Sequence, residues 1–439
     1  MIMVNTGYRR FYKMILCTAL LLFIGNGFVS SESPTLPSAT PESEYAKIVK
    51  NATNVRNSVN ELSVNFSKLV LNDLKPEGNF IFSPFNTYEA LSLVHLGATG
   101  TTKKELSSVL GLPVEENKSA AEAREYFGKL STLIQKTTFD KIKVNISNGV
   151  FVQKGLKLKE SYLNGAKNYY QSETQQLDFA KGGPEATNAV NKWVADETKN
   201  QIKNLFNDEL SKNTQILTTS ALYFAAEWSH RFNKSYTQTK NFNTGVKQIQ
   251  IPTMINNLTT LYLNNKDLKF EAASIPYSYA NFVMMIYLPY PDQPLKTLVN
   301  SLKSEDIDLS KTIKSFKVAH VNYQVPQMKF RWTQDINEQL KKLGLKQMFD
   351  KAELGNMVDS KNISVSKVTH TAEVEVTEDG TLSSAIPIVH SPITSTEQPN
   401  PDTPIPFHVD RPFLFSIYNF VTDVILFTGV VQNPADVNA

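Results

Sequence analysis

Apolar residues recur at helical spacing early in the chain and at strand spacing later in it. Val55, Val59 and Leu62 begin a series of apolar positions three or four residues apart, which predicts a first amphipathic helix. Ser83 followed by Pro84 is typical of a helix N-cap and first turn. The helix that follows Ser83 is apolar on most faces, so we expect it to lie at the centre of the fold.

Most of the remaining segments can be assigned by period and length. Helices dominate the first half and strands the second, with no regular alternation of the two, which favours an α+β fold over a βαβ repeat. The other predicted helices are 160–170, 186–198 and 336–343, and the predicted strands are 144–153, 216–225, 282–289, 325–330, 363–376, 407–417 and 425–434.

A long irregular run separates two of these predicted strands. Residues 381–410 contain no Lys or Arg, and small, hydroxylated and Pro residues dominate the stretch after Gly380. An irregular segment of this length inside a compact domain is uncommon and is usually functional or disordered. We therefore expect an exposed loop, anchored by core strands at both ends.

The N-terminus has the features of a secretory signal peptide. Arg9, Arg10 and Lys13 precede the short apolar run 14–24, and small residues allow cleavage after Ser31. The alternative, an N-terminal anchor, is disfavoured because the run is too short to span a bilayer. We assign residues 1–31 to the signal peptide, 32–54 to a flexible tail, 55–434 to one domain and 435–439 to a C-terminal tail, and we expect a secreted, extracellular protein.

Composition excludes several classes of partner. Residues 1–31 carry three basic groups and no acid, so their removal takes the formal net charge from +3 to zero. A neutral protein has no field that would attract nucleic acid or a membrane surface. The lysines of 129–143 are too sparse to support a site for a heparin-like polysaccharide. Cys17, the single cysteine, lies in the signal peptide, so the mature protein has no disulfide.

Seven Asn-x-Ser/Thr sequons occur, and in a secreted chain each is a possible glycan site. Asn65 and Asn145 lie in apolar-periodic stretches, where burial would prevent their use. The predicted glycosylation sites are Asn51, Asn117, Asn233, Asn257 and Asn362.

Catalytic and cofactor motifs are missing from the sequence. It contains no G-x-S-x-G, P-loop, H-E-x-x-H or C-x-x-C motif, and its six histidines are isolated from one another. We therefore expect no metal site, no cofactor and no catalytic residue, and we interpret the chain as something other than an enzyme. A hydrolase is the weakest hypothesis.

Separated stretches, taken together and in order, identify a family resemblance. The stretches are Asn79-Phe-Ile-Phe-Ser-Pro-Phe, Leu96-Gly-Ala-Thr-Gly-Thr-Thr, Asn191-Lys-Trp-Val-Ala-Asp-Glu-Thr, Ala221-Leu-Tyr-Phe with Trp228, Ile275-Pro-Tyr, Val325-Pro-Gln-Met-Lys-Phe, Leu343-Gly-Leu with Phe349, Val376-Thr-Glu-Asp-Gly-Thr, Arg411-Pro-Phe-Leu-Phe and Phe427-Thr-Gly-Val-Val-Gln-Asn-Pro. By these stretches the chain resembles the serpins over most of residues 55–434. The resemblance implies three β-sheets, about eight or nine helices and an exposed reactive loop at about 378–410.

The resemblance also implies which loop residues act. The hinge, where the loop begins to enter a sheet, corresponds to Glu378, Asp379, Gly380 and Thr381, followed by Ser383 and Ala385. Counting from the hinge places the bond that a protease cleaves between Thr394 and Ser395. The loop is longer than usual, so His390-Ser391, or a bond after Val389 or Ile393, remains an alternative.

The resemblance also implies a polar cluster beneath the sheet that the loop would enter. Ser83, Asn86 and His370 match the family's shutter residues, while Ser220 stands where the family usually has Asn. Within the loop, Pro387 is unfavourable for insertion because it has no N–H and is disfavoured in a central strand.

With the signal peptide, the resemblance implies a secreted, monomeric, single-use inhibitor that forms a covalent acyl complex with a serine protease. Because the loop has no cation, we expect the target to be elastase-like or chymotrypsin-like rather than trypsin-like. The alternative is a non-inhibitory serpin that acts as a binding, carrier or storage protein.

Overall fold

The structure, a computed structural model, describes residues 44–136, 138, 141–200, 202–360, 363–382 and 403–437. This part of the chain contains eleven α-helices and fifteen strands. The helices are α1 (Glu44–Asn51), α2 (Thr53–Asp73), α3 (Pro84–Gly97), α4 (Gly100–Leu110), α5 (Lys118–Lys136), α6 (Glu160–Tyr170), α7 (Gly183–Glu197), α8 (Leu295–Ser301), α9 (Ser304–Ile307), α10 (Leu309–Thr312) and α11 (Asn337–Lys342). The strands are β1 (Phe80–Phe82), β2 (Ile142–Gln153), β3 (Thr174–Leu177), β4 (Ile216–Glu227), β5 (Gln238–Asn243), β6 (Gln248–Asn265), β7 (Phe270–Pro276), β8 (Phe282–Pro289), β9 (Lys317–Pro326), β10 (Met328–Asp335), β11 (Val365–Val376), β12 (Gly380–Leu382), β13 (Ile405–His408), β14 (Phe413–Asn419) and β15 (Val424–Val431).

The strands form two hydrogen-bonded networks. Six strands pair in the order β10-β11-β12-β4-β2-β3, and nine pair in the order β1-β15-β14-β8-β7-β6-β9-β13 with β5 also on β6. The long strand β6 pairs with β9 through residues 253–262 and with β7 through residues 262–265. Because β6 belongs to both halves of the larger network, that network divides there into two sheets. The protein thus has three sheets, and the α+β class is as predicted.

Helix α3 lies in the core, as its all-round apolar character predicted. Thirteen of its fourteen residues are buried, and the Ser83 hydroxyl accepts the Asn86 backbone N–H at 3.2 Å, with Pro84 in the first turn. The start of this helix is therefore fixed by an N-cap that was readable from the sequence. The helix lies against β2 and β4 of the six-stranded sheet and against β15 of the other network.

Two details differ from the sequence-based expectations. Residues 44–51, assigned to the flexible tail, form α1 and bury Ile48 against the core. The composition of the tail did not indicate this short amphipathic helix. The helix count is eleven in the described residues rather than eight or nine, because α9 and α10 are four-residue helices. No helix in the described residues is both long and apolar enough to cross a membrane.

Candidate functional site

The candidate site is a seam in the six-stranded sheet, between β4 and β11. These strands pair with each other in parallel from Ile216 to Ala221 on β4. Nearer their C-terminal ends they separate, and β12 lies between them, antiparallel to both. The first residues of the predicted loop, Gly380–Leu382, are thus a short strand within the sheet.

Gly380 allows this close pairing. Its Cα faces the β4 backbone so closely that a Cβ atom would lie 2.1 Å from the Ala226 carbonyl oxygen and 2.8 Å from the Glu227 Cα. Real Cβ atoms essentially never approach other atoms this closely. A glycine is therefore required here by space, since any side chain would push the hinge away from β4.

Thr381 is fixed on the inward face of the sheet. Its side chain is buried, and its hydroxyl lies 2.6 Å from the Tyr277 hydroxyl. The Tyr277 ring in turn stacks on Trp228 with centroids 4.5 Å apart, and the Trp228 indole N–H donates to the Thr377 carbonyl at 2.8 Å. Burial raises the pKa of Tyr277, so this phenol stays protonated and can donate to Thr381. The hinge is therefore bound by both side-chain and backbone contacts.

The two acidic hinge residues are held by different chemistry. Glu378 is only 5% exposed, and one of its carboxylate oxygens accepts from the Thr237 hydroxyl at 2.6 Å and the Gln327 amide at 2.8 Å. Asp379 pairs with Lys234 at 2.9 Å and lies 3.8 Å from Arg231. The hydrogen bond and charge of Asp379 raise the pKa of Lys234, so this cation stays protonated. Glu378 and Asp379 thus anchor the hinge to the segment after β4 and to Gln327, which lies between β9 and β10.

The predicted shutter residues come together under the middle of the seam. His370 on β11 is fully buried, and its Nε2 accepts the Ser83 backbone N–H at 3.2 Å. Burial lowers the pKa of His370 to about 3, so the ring is neutral at physiological pH. His370 also pairs with Ser220 in the parallel register of β11 and β4.

Asn148 connects the remaining shutter residues. The Ser220 hydroxyl donates to the Asn148 side-chain oxygen at 2.9 Å, and the Asn148 amide donates to the Asn86 side-chain oxygen at 2.5 Å. Asn148 lies on β2, directly opposite Ser220. The short side chain of Ser220 is thus supplemented by an amide one strand away, on the side remote from the seam.

The sequence analysis did not identify Asn148, Gln327 or Thr237. Each is an ordinary polar residue in its own segment, and each acquires its role only through contacts with residues 51 to 141 positions away. One local signal was available for Asn148, because an amide in the buried half of a predicted strand needs a hydrogen-bond partner.

Other predicted site residues lie outside the described residues. These are Ser383 and Ala385 of the hinge, both candidate cleavage sites (Thr394-Ser395 and His390-Ser391), and the sequon residue Asn362. The sequon residues Asn51, Asn117, Asn233 and Asn257 are exposed, while Asn65 and Asn145 are partly buried, and the Asn145 amide donates to the Glu197 carbonyl. Glycosylation at the exposed positions stays a prediction.

The described site is suited to a change of conformation. Its polar groups bind α3, the neighbouring strand β2 and the segments around the hinge. In the described residues no cluster of three His, Cys, Asp or Glu side chains could hold a metal ion. The arrangement can hold, release or admit a strand between β4 and β11.

Comparisons with known proteins agree with this geometry. A family model described as Serpin (serine protease inhibitor) matches residues 57–434. Serpin B4 of Homo sapiens is 30% identical over 375 residues, covering 82% of this chain and 94% of that protein. Iripin-3 of Ixodes ricinus is 31% identical over 367 residues, covering 82% of this chain and 90% of that protein. The solved structure of mouse protein-Z dependent protease inhibitor matches with a TM-score of 0.77 over 90% of this chain and 100% of that chain, at 24% identity, which is a likeness of fold alone.

Proposed function

The chain belongs to the serpin family, and on that premise we propose that it is a secreted, single-use inhibitor of a serine protease. The family is described as one of serine protease inhibitors, so membership confirms the prediction that the chain is not an enzyme. The observation that carries the proposal is the pairing of Gly380–Leu382 between β11 and β4. The seam already accepts the first residues of the loop, and the strands on either side are long enough to accept more.

In the proposed mechanism, the seam between β4 and β11 receives the cleaved loop. A target protease attacks the loop and forms an acyl-enzyme through its serine. Cleavage frees the N-terminal part of the loop, which continues β12 down the seam as a new central strand and carries the attached protease with it. The protease is deformed before it can hydrolyse the acyl bond, so both proteins are consumed. The energy comes from a native sheet that is kinetically trapped above a more stable state.

The register of β12 divides the candidate cleavage sites into two groups. Continuing the observed pairing places residue 391 opposite Ile216, the first residue of β4, and residue 392 opposite Val365, the first residue of β11. Cleavage at Thr394-Ser395 or after Ile393 frees enough chain to fill the seam to its end, whereas cleavage at His390-Ser391 or after Val389 ends the inserted strand before Ile216. Counting from the hinge then favours Thr394-Ser395.

The loop also limits the class of target. Residues 381–410 contain no Lys or Arg, and the buried Asp in a trypsin-like pocket requires a cation. We propose an elastase-like or chymotrypsin-like target, engaged by a monomeric inhibitor in a covalent complex. The alternative, a non-inhibitory binding, carrier or storage protein, is favoured by one observation, the proline at position 387.

The test is incubation of the mature protein with an elastase-type serine protease, followed by denaturing electrophoresis. An inhibitor gives a complex that survives denaturation, whereas a carrier gives only cleaved protein. Thr381→Arg should convert complex formation into simple cleavage, because residue 381 is buried against Tyr277 and Arg cannot enter there. Ser384→Arg is the matched control, since strand alternation turns residue 384 to the solvent side of an inserted strand. Equal loss of complex in both variants would contradict the insertion mechanism.

Secretion is tested separately by expressing the full chain in a secretory host. The N-terminus of the exported protein should be Glu32, and enzymatic removal of N-glycans should increase its electrophoretic mobility. Retention of Met1 in a membrane fraction would instead favour the anchor.

A further inference from the structure

Two buried cations, Lys103 on α4 and Arg124 on α5, share one carboxylate group. Their side chains are 7% and 4% exposed, whereas the side chain of Glu116 is 50% exposed. The Lys103 ammonium donates to Glu116 Oε2 at 2.8 Å, and the Arg124 guanidinium donates to both oxygens of the carboxylate. Glu116 lies in the connection between α4 and α5, where residues 114–117 are all exposed. The cations are thus fixed on helices, while their counter-ion is on an exposed connection.

The charges in this cluster do not balance. Among the described residues, Glu116 is the one carboxylate that pairs with Lys103 or Arg124, so two positive charges face one negative charge. The other acids of α5 pair with lysines of the same helix. By contrast, the buried Arg56 faces the buried Asp423, one charge to one. Because a buried charge is costly unless it is paired, the cluster can be stabilised by a second negative charge.

The excess of positive charge affects the neighbouring groups. Burial lowers the pKa of Lys103, and the charge of Arg124 lowers it further. Burial also lowers the pKa of His95, on the adjacent helix α3, to about 3, with contributions from the charges of Lys103 and Arg124. His95 is therefore neutral and adds no third charge, and both shifts show that this place disfavours further positive charge.

Unused hydrogen-bond donors indicate which anion suits the cluster. One of the three N–H groups of the Lys103 ammonium has a partner among the described residues, and the buried Nε of Arg124 has none there. The guanidinium lies over the Tyr169 ring, 5.5 Å from its centroid, which fixes its orientation. A carboxylate brings one charge and two oxygens. A tetrahedral dianion brings more acceptor oxygens and a charge that matches the two cations.

We propose that Lys103 and Arg124 form a binding site for a phosphate or sulfate group, free or as a monoester, and that Glu116 occupies this site as an internal ligand. An incoming anion displaces Glu116, whose neighbours in the chain are exposed on both sides. Because both cations are buried, the site admits a single anionic group rather than a run of anionic groups along a polymer. The site is formed by helices and does not depend on the proposed inhibitory function.

Calorimetric titration of the mature protein with inorganic phosphate, at an ionic strength held constant with sodium chloride, tests the proposal. Glu116→Gln removes the internal ligand and should bind phosphate about tenfold more tightly than the wild type, because the site is then open in most molecules. Glu115→Gln is the matched control, since it makes the same change of charge at the adjacent exposed residue and should keep the wild-type affinity. Adding Lys103→Gln to Glu116→Gln should abolish the gain.

The melting temperature gives a second readout on the same variants. Without phosphate, Glu116→Gln should melt below Glu115→Gln, because two buried cations have lost their carboxylate. Saturating phosphate should close this difference, since it binds the folded state and supplies the negative charge, whereas sodium chloride at the same ionic strength should not. The difference between the two variants cancels any general effect of phosphate on protein stability.

Two further ligands identify the source of the anionic group. Phenyl phosphate that binds as tightly as phosphate supports a monoester as the ligand, and binding of inorganic phosphate alone supports a free anion. Equal phosphate affinity in Glu116→Gln and Glu115→Gln, or a gain that survives Lys103→Gln, would show that the site does not exist. Heparin that binds Glu116→Gln more tightly than Glu115→Gln would show that a polymer enters, and would overturn the assignment to a single anionic group.

Discussion

The buried carboxyl group of Glu89 should make the protein less stable as pH rises, and Glu89→Gln should remove that dependence. Glu89 lies on α3 beneath the sheet and is 3% exposed. Burial, partly opposed by a hydrogen bond with Asn148, raises the pKa of Glu89 from 4.5 to about 8. One carboxyl oxygen, Oε2, has no hydrogen-bond partner within the described residues.

The direction of the pH effect follows from proton counting. Between about pH 4.5 and pH 8 the folded protein holds a proton on Glu89 that the unfolded chain has released. The free energy of unfolding therefore falls by about 1.4 kcal/mol per pH unit in that window. Below this pH window Glu89 is protonated in both the folded and the unfolded protein, so its burial carries no penalty in the free energy of unfolding. Above the window Glu89 is ionised in both states, and the penalty is constant. At pH 7 the penalty is on the order of 3 kcal/mol.

The assay is the melting temperature of wild type and Glu89→Gln from pH 4.5 to pH 9. Gln keeps the size of the side chain and does not titrate, although burial of its amide adds a cost that is independent of pH. The stability difference should thus move in favour of Gln up to about pH 8 and then level off. Glu338→Gln, at a side chain that is 72% exposed, is the matched control and should show no such trend. A Glu89→Gln difference that is flat across this range would refute a buried neutral carboxyl.

Two other substitutions test the hinge and the core. Gly380→Ala places a Cβ 2.1 Å from the Ala226 carbonyl oxygen, so we expect β12 to leave the seam. The Trp228 backbone amide, which donates to the hinge, should then exchange with deuterium faster than in the wild type. Unchanged exchange would contradict the pairing. Arg56→Met leaves the Asp423 carboxylate, now 3.1 Å from the guanidinium, buried without its cation, and should lower stability by about 3–5 kcal/mol in thermal or denaturant unfolding. The double variant with Asp423→Asn should recover part of that loss, and failure to recover any would show that Arg56 acts by packing alone.

Features with a local physical cause could be predicted from the sequence. Ser83 and Pro84 specify the start of α3 within two residues of chain, and an apolar run bounded by polar residues is sufficient to predict β4. The stop of α11 is local too, because Gly344 follows it with a φ of 107°, a conformation that favours glycine. Such features depend on helix or strand propensity and on hydrophobic period, and a segment of about a dozen residues is enough to show both.

The site depends on register, which no single segment contains. The position of Ser220 opposite Asn148 on one side and His370 on the other follows from the pairing of three strands that are distant in sequence. A shift of one residue in any of them would turn a polar side chain to the other face of the sheet. The family resemblance supplied His370 and Ser220, but the contact of Asn148 with Ser220 required the observed pairing of β2 with β4.

In the proposed mechanism, the length of the chain between β12 and β13 is sufficient for insertion. Filling the seam along β4 takes residues 381–391, which as a strand span about 36 Å. Residues 392–404 then remain to return to β13, and thirteen extended residues reach about 45 Å. The intact chain is therefore long enough to run back along the seam. In the proposed mechanism, the barrier to insertion is therefore the cost of parting β4 from β11 rather than the length of the chain.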